Sequence, residues 1–152
     1  MNRLVALKEH QELRGGPGGA GIVTDYLYSA PDAVSYHIDT GTQAVIIGQT
    51  RYNLSPGRNW EKTEMPAELR YRFPAFLYSQ GATGVTQLGQ EQVDGVECDI
   101  VVFHLPASDA YFRIWMGTED LLIRKLTMMA PGHFMTSTYS DFNVPNSIKP
   151  PQ

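Results

Sequence analysis

The sequence has a single cysteine, no apolar run of about 18 residues and no surplus of positive charge, and each shortage closes off a class of protein. One cysteine in 152 residues, Cys98, excludes an intramolecular disulfide and a multi-cysteine zinc site. It falls inside a strand-like segment and reads as a small buried hydrophobe rather than a reactive thiol. Lys and Arg number 12 against 16 Asp and Glu, so the net charge is −4 and nothing attracts phosphates to the chain as a whole; no nucleic-acid partner is expected. Without a long apolar stretch, no helix crosses a membrane. Met1-Asn2-Arg3 leads straight into Leu4–Leu7, too short for a secretory core, so the sequence reads as a segment whose natural beginning lies upstream. The motifs G-x-S-x-G, H-E-x-x-H, Walker A and C-x-x-C are all missing, so no enzyme activity and no cofactor is expected.

The chain is rich in strand signals. Hydrophobic residues reach 42% while charged ones are only 18%, a balance that suits a β-rich domain with an apolar face to cover. The organising run spans Val85–Val93, Val96–Leu105, Tyr111–Gly117, Leu121–Met129 and Phe134–Phe142. Turn residues punctuate it at Asp94-Gly95, Pro106–Asp109, Gly117–Asp120 and Pro131-Gly132, the pattern of an antiparallel meander. Upstream, Arg3–Leu13 and Ile22–Tyr28 read as strands. Val34, Tyr36 and Ile38 alternate with Ser35, His37 and Asp39, one face apolar and one wet. Gln43–Gly48 and Arg51–Leu54 are the next strands, and Ser55–Asn59 turns the chain before Trp60.

The loop Gly16-Pro17-Gly18-Gly19-Ala20-Gly21 contains G-x-G-x-x-G. A phosphate cradle needs a helix next, and the next residues have a strand composition instead, so the loop reads as a hairpin connection. Asn53-Leu54-Ser55 fits a glycosylation sequon, but Pro56 comes directly after it. Helical spacing is confined to Pro66–Gln80, where Leu69, Phe73, Phe76 and Leu77 recur and Pro74 interrupts them. Two short helical pieces, or one helix with a break, are expected there, packed across the sheet as a small lid. The expected fold is therefore mainly β with a small helical lid, one domain over residues 1–143, and an extended tail over 144–152.

Two clusters offer chemistry. Glu97 and Asp99 alternate onto one face of a hairpin, where paired carboxylates can do acid–base work but more often keep a sheet soluble. Met128, Met129, His133 and Met135 surround the Pro131-Gly132 turn. Thioether and imidazole groups suit Cu(I), and methionine equally fills apolar gaps, so core lining and a soft-metal site both stand. His10, His37 and His104 lie apart from this group in sequence and read as solvated side chains.

Three stretches together carry a resemblance. They are Ala44–Gly48 with Arg51-Tyr52 and Trp60-Glu61, then Gly89–Cys98, and then Phe112–Gly117 with Leu121–Arg124 and Tyr139–Asn143. In this order the chain resembles the lipoprotein-carrier superfamily of LolA, LppX and LprG, and more loosely the related domains attached to bacterial copper-resistance membrane proteins. The resemblance implies a curved antiparallel sheet forming a half-open barrel in an extracytoplasmic bacterial setting. It implies a hollow that binds a lipid, an acyl chain or a lipoprotein, and a membrane domain of the same full-length protein as a further partner. The lining expected from the residues themselves is Tyr36, Tyr52, Trp60, Phe73, Phe76, Phe112, Ile114 and Met116, against the alternative of a plain filled core. A second reading is an accessory or sensing domain in metal resistance that uses the methionine cluster.

Overall fold

The computed structural model describes residues 4–15, 19, 21–73 and 80–152. Eleven strands run in chain order: β1 Ala6–Arg14, β2 Gly21–Ser29, β3 Ala33–Ile38, β4 Gln43–Ile47, β5 Thr50–Leu54, β6 Glu61–Glu64, β7 Thr83–Val93, β8 Val96–Leu105, β9 Ala110–Gly117, β10 Ile123–Ala130 and β11 His133–Ser140. They form one sheet in the order β6-β5-β4-β3-β2-β1-β11-β10-β9-β8-β7, which is not closed: β6 and β7 are its edges. Chain contacts group the strands into two units. Unit 1 is Met1–His10, Ile22–Ala75 and Ser140–Gln152; unit 2 is Gln11–Gly21 and Phe76–Tyr139.

In unit 2 the hairpins form where turn chemistry predicts. Asp94 and Gly95 both take positive φ, 49° and 79°, the two-residue turn whose twist matches the strands it joins. β8 and β9 then pair without a slip from Cys98↔Gly117 to Leu105↔Ala110. β10 pairs β9 with a bulge between Ile123 and Lys125, which resets which residues share a face. On one face lie Phe103, Phe112, Leu126 and Met135, each less than a tenth exposed. The edge strand β7 carries two register irregularities, which discourage pairing with another chain, and is exposed along nearly its whole length, Val85 and Leu88 included.

In unit 1, β2 to β6 form a second meander with unbroken register. Val34 and Ala44 are buried on one face, as the alternation in β3 predicts. The tail from Asn143 is tied to this unit. Asn143 donates its amide to Ala6 O at 2.8 Å, and its Oδ1 accepts from Val5 N at 2.7 Å. Asn146 Nδ2 donates to Tyr28 O at 3.1 Å.

The helical expectation over Pro66–Gln80 is met only by a short turn in its described first half. Among the described residues there is no α-helix, and this stretch forms only a 3-10 turn at Ala67–Leu69, with Leu69 63% exposed. The amides that a helix would use internally go elsewhere: Tyr71 N donates to Gly48 O and Phe73 N to Pro31 O, both at 2.9 Å. Phe73 also precedes a proline, which disfavours helical backbone. Arg70 pins the segment by pairing with Asp32 at 2.7 Å. Residues 74–79, Phe76 and Leu77 among them, lie outside the described residues, as do Gly16 and Gly18 of the glycine loop. Strand β2 comes directly after that loop where a cradle would need a helix, so the dinucleotide reading falls.

Candidate functional site

Directly paired residues in an antiparallel sheet share a face, so the registers sort every expected site residue. In unit 2 one face carries Val101 and Phe103 from β8, Phe112, Ile114 and Met116 from β9, Leu126 and Met128 from β10, and Met135 from β11. The Phe103 and Phe112 rings stack at 5.1 Å between centroids. Around these buried rings Val101, Ile114, Met116 and Met128 are only half-buried. Three residues expected to line a hollow, Phe112, Ile114 and Met116, thus fall together here.

The other face of unit 2 is built around Trp115, 5% exposed. Its Nε1 donates to Glu91 at 2.8 Å, while Lys125 Nζ and Arg113 Cζ lie 4.7 and 5.8 Å from the ring centroid. The indole is thereby closed over by charged side chains on a face open to water.

Unit 1 buries a different chemistry. Tyr26, Tyr28, Val34 and Tyr36 share a face, with Tyr26 stacked on Tyr28 at 5.6 Å and tilted against Tyr36 at 5.5 Å. Glu9 is 8% exposed, and its carboxylate accepts a hydrogen bond from Tyr28 Oη at 2.7 Å. Arg51 donates to Tyr36 Oη at 2.8 Å. Burial, and then the negative charge and hydrogen bond of Glu9, hold the Tyr28 phenol well above its ordinary range. Burial, and then Glu9, push Tyr71 the same way, and the Tyr71 hydroxyl is buried without a hydrogen-bond partner among the described residues.

Of the remaining expected residues, Phe76 lies outside the described residues and the others belong to unit 1. Tyr52 pairs with Val45 and therefore faces away from Tyr36, whose β4 partner is Ala44. Trp60 lines a shallow groove of about 390 Å³ with Tyr26, Leu27, Tyr36, His37 and Val45 among others, so Tyr36 and Trp60 border the same space. Within unit 1 an aromatic residue's strand parity, not its composition, decides its face. Phe73 lines a separate groove of about 420 Å³ with Arg70 and Arg72.

The methionine cluster divides in the same way. Met128 pairs with Met135, and His133 shares their face, but Met129 points to the other face opposite Phe134. Among the described residues no group of three or more His, Cys, Asp or Glu could hold a metal ion. Cys98 is fully buried, its thiol donates to Val96 O at 3.4 Å, and burial raises it above the ordinary thiol range, so it is an inert core residue. Asp99 accepts from Gln87 and Gln90 at 2.8 and 3.0 Å, which occupies it structurally, and Glu97 is exposed. Sequence reasoning missed Glu9 and Arg51. The one available signal for Glu9 was its parity with Leu7 in β1, both of which are buried.

No known family profile matches the chain, and no curated protein sequence matches it. Its fold is nevertheless shared with solved structures, the mycobacterial proteins LppX and LprF among them. Among solved structures it is similar to the lipoprotein LppX of Mycobacterium tuberculosis, with a TM-score of 0.68 and 13% identity over 96% of this chain and 90% of that one. LprF of Mycobacterium bovis gives 0.63 and 13% over the same shares, 96% and 90%. A chain of the Pseudomonas aeruginosa MucA/MucB complex gives 0.52 and 10% over 91% of this chain and 51% of that one. At such identities the likeness is one of fold.

Proposed function

We propose that this chain is a non-enzymatic extracytoplasmic binding domain that holds the apolar part of a lipid, an acyl chain or a lipoprotein. The observation that carries the reading is the apolar face of unit 2, where Ile114, Met116 and Met128 remain half-buried around the stacked Phe103 and Phe112. The fold shared with LppX, itself described as a lipoprotein, supports it. Each methylene placed on such a face gains about 0.8 kcal/mol, so a long chain needs no specific polar contact to be held. Met128 and Met135 continue the same apolar surface. That favours their role as lining over a soft-metal site, because the methionine nearest the turn, Met129, faces away from them.

Native mass spectrometry of freshly purified protein tests the reading. A lipid-mass adduct that Ile114→Glu and Met116→Glu both abolish, with the circular dichroism spectrum kept, is the expected result. An absent adduct, together with no uptake of a fluorescent fatty acid, would show a filled interior and end the proposal. Titration with Cu(I) separates the metal reading: stoichiometric binding lost in Met128→Ala and Met135→Ala would favour it instead.

A further inference from the structure

The open face of unit 2 carries a row of exposed apolar side chains. Tyr111, Met129 and Phe134 are 55%, 53% and 39% exposed, and the registers set them side by side across β9, β10 and β11. His104 extends the row onto β8, its ring stacked on Tyr111 at 4.3 Å. A groove of about 460 Å³ borders the row, lined by Val102, Tyr111, Arg113 and Met129 and reaching Phe103 and Phe112. The row stands at one end of the strands, beside the turns at Pro106–Ser108 and Pro131-Gly132.

The charges behind the row decide what it fits. Arg113 lies two residues along β9 from Tyr111, and Lys125 four residues along β10 from Met129. At about 3.3 Å per residue the cations stand roughly 7 and 13 Å behind the apolar tip. Both lie over the Trp115 ring, and neither pairs with a carboxylate among the described residues. The carboxylates nearby are engaged, Glu91 with Trp115 Nε1 and Asp109 with His104. An apolar tip with free cations set back from it matches a bilayer surface, where side chains enter the acyl boundary by about 5–10 Å and cations meet anionic headgroups above it. Tyrosine and phenylalanine are suited to that boundary.

We infer that the Tyr111–Met129–Phe134 row, with Arg113 and Lys125 behind it, docks this domain on a membrane surface that carries anionic phospholipid. The face is opposite to the one proposed for ligand, so docking and ligand holding are separable. The experiment is co-sedimentation with vesicles of equimolar phosphatidylcholine and phosphatidylglycerol, compared with phosphatidylcholine alone. The wild-type chain partitions onto the anionic vesicles and less onto the neutral ones. The triple substitution Tyr111→Ser, Met129→Ser, Phe134→Ser lowers partitioning about tenfold or more. Arg113→Gln lowers it about fivefold and weakens its salt dependence, which keeps the test valid even if Lys125→Gln loosens Trp115. Native mass spectra of these variants keep whatever adduct the wild type shows, so failed docking is distinguishable from failed ligand binding. Absence of vesicle binding, or binding that the variants leave unchanged, overturns the inference. So does concentration-dependent self-association that the triple substitution abolishes, which would make a second copy the occupant.

Discussion

The two units use the same device, an antiparallel meander with one face turned away from water, yet they bury opposite chemistries. Unit 2 covers mainly phenylalanine, leucine and methionine, which ask nothing of their neighbours beyond contact, with Ser137 and Tyr139 as the buried polar side chains on the same face. Unit 1 covers tyrosine hydroxyls and the Glu9 carboxylate, which must be met by hydrogen bonds. That contrast locates where an apolar guest can lie. Replacing one apolar neighbour by another on unit 2 costs no polar desolvation. On unit 1 the same guest would have to leave Tyr28, Tyr36 and Arg51 satisfied, or forfeit part of its gain.

The largest effect that tests the comparison is Phe112→Ala. Phe112 is 5% exposed and stacked on Phe103, so truncation is expected to cost about 3–5 kcal/mol in urea unfolding. A loss under about 1 kcal/mol would mean that the ring is not packed as core, and the contrast between the units would collapse.

Next in size is Tyr28→Phe, which keeps the ring and removes the donor to a buried carboxylate. A cost of about 1.5–3 kcal/mol is expected, typical of a hydrogen bond to a charged group. Its pH dependence sharpens the point. The folded-state phenol is raised above its unfolded value of about 10, so the unfolded chain releases its proton first. The stability that neutral Tyr28 supplies is present in full below pH about 10 and is lost as pH climbs beyond it. Denaturation midpoints measured through that range should fall less steeply for Tyr28→Phe than for the wild type. Equal slopes would remove Tyr28 from the account.

Much of the sheet was legible because turn chemistry and alternation act locally. Asp94-Gly95 and Pro131-Gly132 bound their hairpins, and Val96–Leu105 is a strand over its full expected length. β6 was not legible, since Glu61–Glu64 is entirely exposed and carries no apolar signal; only its pairing with β5 makes it a strand. The helical spacing at Pro66–Phe73 was legible only as the short turn Ala67–Leu69, because backbone donors at Tyr71 and Phe73 found carbonyls at Gly48 and Pro31. The candidate site was legible only in part. Phe112, Ile114 and Met116 are near neighbours in one strand, so their shared face needed only a period of two. Tyr36, Tyr52 and Trp60 are separated by turns whose length sets parity, and composition carries no information about that.

The bulge between Ile123 and Lys125 gives the smallest and most diagnostic contrast. Met128 and Met129 are adjacent in sequence and identical in chemistry, and a strand's alternation sends them to opposite faces. The bulge decides which goes where, by setting Met128 against Phe112 and Met129 against Tyr111. Met129 is 53% exposed, so Met129→Ala should change stability by no more than about 0.5 kcal/mol. Met135, 9% exposed and opposite Met128, should cost about 2–5 kcal/mol when cut to alanine. If Met129→Ala proved the costlier of the two, the register would be slipped by one residue, and every assignment of the β10 and β11 side chains to a face would reverse with it.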